Sequence, residues 1–326
     1  MKAAYIEKTG ASDQIIIGDL PVPVINDNEV LVKVTYTTVN HVDCYIRSGK
    51  YARQLPNPYI IGRDFCGEVV QIGKAVKQFK VGDKVWSNCQ GIDGRQGTFA
   101  QYLAVKENTI FHLSRNVDPL QAVAVLHSTF TAILGLEREA QAKAGQVIYI
   151  HGAAGNIGAA LIHTAKFLGL SVIAGTHGQE KIDYCYQLGA DVVIDYKDDV
   201  NRNIRKFAPD GVNIFWNTSR FHDFKLSLPL LALKGRYILM AGSGNEATFS
   251  VGELYTNDAS IRGFTISNAT MEEVEQTAEK INSLLEHQSV GAKIDKVLAL
   301  EDARQAHDLM ESGSAWGKIM IKISHD

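Results

Sequence analysis

The clearest chemistry in this 326-residue chain sits near its middle, in Val147-Ile148-Tyr149-Ile150-His151-Gly152-Ala153-Ala154-Gly155-Asn156-Ile157-Gly158. An apolar run enters a turn of small residues and leaves it in a helical pattern. Small residues let the backbone turn tightly and approach an anion, while the N-terminus of the next helix offers unbonded N–H groups and partial positive charge. Ala153 takes the first position, so the spacing is not the strict G-x-G-x-x-G. The strand–turn–helix setting is nevertheless the one a dinucleotide pyrophosphate requires. About twenty residues on, where an NAD site places Asp or Glu against the ribose 2′-OH, the chain reads Gly175-Thr176-His177-Gly178-Gln179-Glu180-Lys181. No acid stands at that strand tip. Thr176 can hydrogen-bond a 2′-phosphate and Lys181 can neutralise it, which favours NADP(H). The alternative is a solvated first-turn Lys181 beside a Glu180 that repels phosphate.

These stretches need a scaffold to hold them. From 119 onward a helical pattern over 119–139 is followed by strands at 146–151, 171–176, 191–195, 211–216 and 235–241, with helices at 156–168, 179–188 and 198–207 and one more before the last strand. Alternating short apolar strands and helices predict a doubly wound parallel sheet. The first 110 residues are different. β-branched runs at 29–36, 65–72, 84–86 and 99–105 are separated by turn signals such as Pro21-Val22-Pro23 and Val81-Gly82-Asp83, which predicts a small barrel or sandwich. Beyond 262 the pattern mixes: strands at 261–267, 294–299 and 317–323, helices at 271–286 and 301–312.

Composition narrows the function classes. Hydrophobic residues make up 45% and charged residues 21%, and the formal net charge is −3, so no basic surplus points to nucleic acid or an anionic membrane. Apolar runs such as 226–233 are short, and Pro229 interrupts that one, so no bilayer-spanning segment is expected. The start shows no leader pattern of basic, apolar and small-residue regions. Cys44, Cys66, Cys89 and Cys185 are scattered, which argues against a disulfide framework or a Cys-rich zinc lobe. The expectation is a cytoplasmic, two-domain protein.

A second constellation lies at Val39-Asn40-His41-Val42-Asp43-Cys44-Tyr45-Ile46-Arg47-Ser48-Gly49-Lys50-Tyr51. It resembles the Val-Asn-x-x-Asp/Glu-x-Tyr-Ile-Arg-Ser-Gly-x-Tyr pattern of the zinc-independent medium-chain dehydrogenases/reductases, specifically the quinone oxidoreductases that include zeta-crystallin. Leu31-Val32-Lys33-Val34, Gly62 through Gly73, Gly235-Arg236-Tyr237, Gly242-Ser243-Gly244 and Gly317-Lys318-Ile319 fit the same family, so the resemblance covers essentially the whole chain. It implies an α/β fold: a GroES-like β-barrel catalytic domain at 1–121, completed by 263–326, and a Rossmann dinucleotide-binding domain at 122–262, with the active site in the cleft between them. Where zinc-dependent relatives need ligands, this chain has Asn40 and Arg63-Asp64, with His127 near the third position. A lone histidine beside an arginine does not make a zinc site, so no metal is expected.

The resemblance further implies hydride transfer from NADPH to a quinone or an α,β-unsaturated carbonyl. Tyr51 is the candidate donor to developing oxyanion charge, Tyr45 matches a second cleft tyrosine, and Asn40 would hold the nicotinamide ribose or carbonyl. The two tyrosines could instead be packing residues. By the same resemblance Thr131, Ala154, Gly155, Asn156, Ile157, Thr176, Gly178, Lys181, Tyr196, Asn217, Gly242, Ser243, Phe264, Ile266 and Lys318 would line the cofactor. Against NADPH, the basic residue that some bacterial relatives carry near the C-terminus is replaced by Gly313 or Ser314. A homodimer is implied as well. Two other readings stand beside this one. An enoyl-thioester reductase would need a basic patch, for which Arg47, Lys50, Arg53 and Arg63 are candidates. An NADPH-binding structural or regulatory protein would show no turnover.

Overall fold

The computed structural model describes residues 1–52 and 54–325. Strands β1 (Lys2–Ile6), β2 (Ile16–Asp19) and β3 (Glu29–Val39) lead into helix α1 (His41–Ser48), followed by β4 (Tyr59–Ile60), β5 (Phe65–Ile72), β6 (Lys84–Ser87), β7 (Tyr102–Lys106) and β8 (Phe111–His112). Next come α2 (Pro119–Leu134), extended by a π-helical turn at Gly135–Glu139, β9 (Val147–His151), α3 (Asn156–Phe167), β10 (Ser171–Thr176), α4 (Gln179–Gln187) and β11 (Val192–Asp195). Then follow α5 (Val200–Phe207), β12 (Val212–Asn217), α6 (Phe224–Ser227), β13 (Leu231–Leu239), α7 (Val251–Tyr255) and β14 (Ser260–Gly263). The chain closes with α8 (Met271–Glu286), β15 (Ile294–Ala299), α9 (Ala303–Ser312) and β16 (Lys318–Lys322). It divides into two compact units, Met1–His127 with Ile281–Asp326, and Ser128–Lys280.

In the first unit, β3 organises the larger sheet, whose order is β15-β16-β3-β5-β6-β8, with β7 also on β3; β2-β1-β4 form a smaller sheet. Inward-facing Val30, Val32 and Val34 alternate along β3 and are fully buried, each contributing about 1.5–3 kcal/mol by leaving water. Register does the positioning. Val39 pairs with Ile319 and Thr37 with Phe65, so the end of β3 meets the starts of β16 and β5. The strand expected at 99–105 begins only at Tyr102. Ala4 N–H donates to Phe99 O at 2.8 Å and Ala100 bridges Ala3, so residues 99–100 belong to β1's surroundings instead.

The second unit is an all-parallel sheet of order β11-β10-β9-β12-β13-β14. This is the doubly wound order in which the connection reverses between β9 and β12, the usual place for a dinucleotide. The strand expected at 261–267 ends at Gly263, and Ile266–Asn268 is a short 3₁₀ turn capped by the Thr265 hydroxyl. Pro119–Glu139 is long and apolar enough by composition to cross a bilayer, but 78% of its most apolar window is buried in the protein, as in a core helix.

Candidate functional site

The β9–α3 turn is built by glycines at specific places. Gly152 has φ +77° and a Cβ there would lie 2.3 Å from Thr218 Oγ1; a Cβ on Gly158 would lie 2.4 Å from Gly152 O and 2.5 Å from Ala153 Cα. Gly158 therefore lets α3 pack onto the turn. Gly155, the helix N-cap, meets only Gly152 O at 3.3 Å. Ala154 is buried, Gly155 is exposed, and Asn156 and Ile157 in the first turn of α3 are half-buried. Tyr196 braces the arrangement: its hydroxyl accepts from Gly152 N–H at 2.6 Å and donates to Gly175 O at 2.7 Å, and its ring stacks on His151 at 4.7 Å.

At the adjacent strand tips, Thr176 is buried and pairs with Asp195, and Gly178 caps α4 at φ +92° with open space around its α-carbon. Lys181 is exposed in the first turn of α4. The sequence reading missed Asp195. It ends the neighbouring strand opposite Thr176, and its Oδ1 lies 2.8 Å from His177 Nδ1; that contact and the Lys197 N–H hold its carboxyl below the usual range. Asn217, at the end of β12, spends its amide on its own loop, donating to Phe221 O and Tyr237 Oη and accepting from Ser219 N–H. Gly242 has φ +101°, and a Cβ there would meet Arg220 O at 2.6 Å; Ser243 beside it is exposed. Thr131 is buried on α2. Phe264 packs edge-on to Trp216, and together they require Gly135. Ile266 follows, half-buried.

In the first unit, register brings Asn40, Asp64 and Lys318 together. Asn40 Nδ2 donates to Asp64 Oδ2 at 2.9 Å, Lys318 Nζ donates to Asn40 Oδ1 at 2.7 Å, and Asn40 N–H donates to Asp43 Oδ2 at 2.7 Å. Burial, with the Asp64 charge second, pushes Asp43 up to about 7; burial pushes Asp64 up to about 6 against the pull of Lys318. Burial and the Lys318 and Arg63 charges drive the His127 imidazole far toward its neutral form. Sequence reasoning named Asn40 and Lys318 separately. Their partner Asp64 was visible only as one of the residues standing where zinc ligands are missing.

Tyr45 and Tyr51 lie on and just beyond α1, joined by Tyr51 N–H donating to Tyr45 O at 3.1 Å. Both rings are half-buried; Tyr45 stacks near His41 at 6.3 Å, and Tyr51 packs on the unit's core. The proposed basic patch is corrected. Arg47 is fully buried, donating to Gly10 O and pairing with Glu311 at 2.5 Å, and Arg63 is 2% exposed with Nη2 toward Asn88 O. Arg47 reaches its acceptors from inside the unit, and Arg63 points toward the buried Asn88. Lys50 is exposed, and Arg53 lies outside the described residues.

The GroES-like unit, the doubly wound sheet and the glycine-built turn define a dinucleotide-binding protein of the medium-chain dehydrogenase/reductase class. Residues 26–115 match the Alcohol dehydrogenase GroES-like domain family and residues 156–283 the Zinc-binding dehydrogenase family. The chain is 31% identical to the quinone oxidoreductase of Sus scrofa over 330 residues, 99% of this chain and 98% of the relative. It is 36% identical over 203 residues to the NADPH-dependent alkenal/one oxidoreductase, chloroplastic, of Arabidopsis thaliana, 60% of this chain and 52% of that one. A mycobacterial protein solved in complex with NADPH superimposes with a TM-score of 0.86 at 26% identity, covering 99% of each chain. The chain belongs to the quinone oxidoreductase family of medium-chain dehydrogenases/reductases.

Proposed function

We propose that this protein is an NADPH-dependent reductase of quinones and α,β-unsaturated carbonyls that works without zinc, in the cytoplasm. The observation that carries the reading is a β10 strand that itself ends on Thr176 rather than on an acid, beside a turn built for a pyrophosphate. Names of the relatives support both the cofactor and the acceptor class. The donor set does not fit zinc: Asn40, standing where zinc-dependent relatives place a ligand, spends its amide on Asp64 and Lys318, and among the described residues no group of three His, Cys, Asp or Glu side chains could hold a metal.

NADPH, when bound, supplies the hydride at nicotinamide C4. The chain's own residues do the rest. The first turn of α3 holds the pyrophosphate, Thr176 and Lys181 take the 2′-phosphate, and Asn40 holds the nicotinamide end. Tyr51 donates its phenol hydrogen toward the acceptor oxygen as negative charge develops there, and one solvent proton completes the reduced product. With Arg47 and Arg63 buried, the phosphate-binding patch an enoyl-CoA substrate would require loses two of its four members.

The test is NADPH and NADH oxidation with 1,2- and 1,4-quinones, 2-alkenals and enoyl-CoA. Quinone or alkenal turnover with NADPH preferred is expected, and Tyr51→Phe should lower kcat roughly 10²-fold, within the range of general acid catalysis, with NADPH binding retained. Binding of NADPH with no turnover of any acceptor would leave a non-enzymatic protein. Stoichiometric zinc in the purified chain would overturn the metal-free reading.

A further inference from the structure

Asn40 is 5% exposed, Asp64 0% and Lys318 1%, in a unit whose interior is otherwise largely apolar. A carboxamide has a donor end and an acceptor end of nearly the same shape, so its orientation is set by its neighbours alone. Here they are unambiguous. A carboxylate accepts and an ammonium donates, and they stand at opposite ends of the Asn40 amide at 2.9 and 2.7 Å. We propose that Lys318 and Asp64 are positioning residues acting through Asn40: together they fix one orientation of its amide and turn the second Nδ2–H away from Asp64, toward a bound molecule. The Asp43 carboxylate fixes the Asn40 backbone N–H as well, so the residue is held at both ends.

Several observations support this role. Lys318 Nζ donates one of its three hydrogens to Asn40 Oδ1, and its stem lies inside the unit. Its position follows from the Val39–Ile319 register, 278 residues away in sequence from Asn40. The charged groups around it, Asp43, Asp64 and Arg63, are all buried, so the Lys318 charge acts on two nearby carboxylates while its Nζ holds the Asn40 amide. Burial drives Lys318 down while those two carboxylates pull it back up. The inference rests on the reading of Asn40 as the group that meets the nicotinamide end.

The experiment has one arm that needs no cofactor. In ¹⁵N-labelled full-length protein, the Asn40 side-chain amide, assigned by its loss in Asn40→Ser, should exchange slowly with solvent. In Lys318→Met, and in Lys318→Met/Asp64→Asn, which leaves no new unpaired charge, exchange should accelerate roughly tenfold or more. Unchanged exchange in the double variant overturns the proposal. The second arm uses NADPH and a quinone. Both variants should lose roughly tenfold in kcat, while the NADPH dissociation constant from fluorescence titration moves by less than about threefold. Equal losses in kcat and in affinity would make Lys318 a direct cofactor contact, and no loss in either would make it packing only; each overturns the proposal. If the native chain turns over no acceptor, the functional reading fails and the exchange arm still decides the positioning of Asn40.

Discussion

Asp43 sits in the first turn of α1 with its carboxylate buried, and the consequence is a pH-dependent stability. Burial first, and the nearby Asp64 charge second, raise it from 3.8 to about 7. The folded chain therefore holds a proton that the unfolded chain releases across the interval between those values, and stability falls as pH rises through it. Asp43→Asn keeps an oxygen to accept the Asn40 N–H and removes the titration. Its urea-unfolding free energy, relative to the native chain, should improve by about 1–4 kcal/mol between about pH 4 and pH 7, given ~1.4 kcal/mol per pKa unit. Parallel stability curves for the two proteins would refute the effect. The comparison with the variant matters because His307, lowered to about 3 by burial and Arg47, titrates in the opposite sense over much of that range. At this scale the sequence exposes residue types but not their company. Asp43 and Asn40 are legible as neighbours in one motif, whereas the Lys318 and Asp64 contacts exist only once three strands are in register.

Among the elements, the β9–α3 turn makes the sharpest prediction because its glycines are not equivalent. A methyl on Gly158 collides with backbone atoms of Gly152 and Ala153 that cannot rotate away, whereas one on Gly155 meets a single carbonyl at 3.3 Å. Gly158→Ala should cost about 1–3 kcal/mol of stability, the usual range for overpacking, and weaken NADPH binding at least several-fold by lifting α3 from the turn. Gly155→Ala should do much less of both; thermal unfolding and NADPH titration on the two variants check the order, and equal effects would contradict it. The strand–turn–helix order was readable because each strand there is a short continuous apolar run. β13 was readable only in its second half. It begins at Leu231, but Lys234 at φ +60° and Gly235 shift its register against β12 between Val212 and Ile214, and that irregularity looks like a turn in sequence. Helix α1 was legible as a chemical motif but not as an element, because it is only eight residues long and its end depends on Gly49 at φ +80°.

On the scale of the whole molecule, the six-stranded sheet leaves one question of assembly. β14 is its outer strand, and among the described residues no strand pairs with its far side. Exposed edge strands template pairing with another chain unless they are short, charged or covered. β14 is short and carries Arg262, so strand pairing alone makes a weak interface. The segment that precedes it exposes apolar side chains, however: Phe249, Val251 and Tyr255 are 40%, 67% and 70% exposed. Such side chains and an open strand edge suit a self-complementary two-fold contact, and a stable one would cover ~1,200–2,000 Å². The expected species by light scattering after size exclusion has twice the 35.8 kDa chain mass. Val251→Glu/Tyr255→Glu should shift it toward monomer at micromolar concentration, because two like charges per chain would face their copies across the axis. Hydrogen exchange at Ser260–Gly263 should rise in the same variant. A native chain that stays at the single-chain mass would leave β14 as a free edge, protected only by its shortness and its arginine.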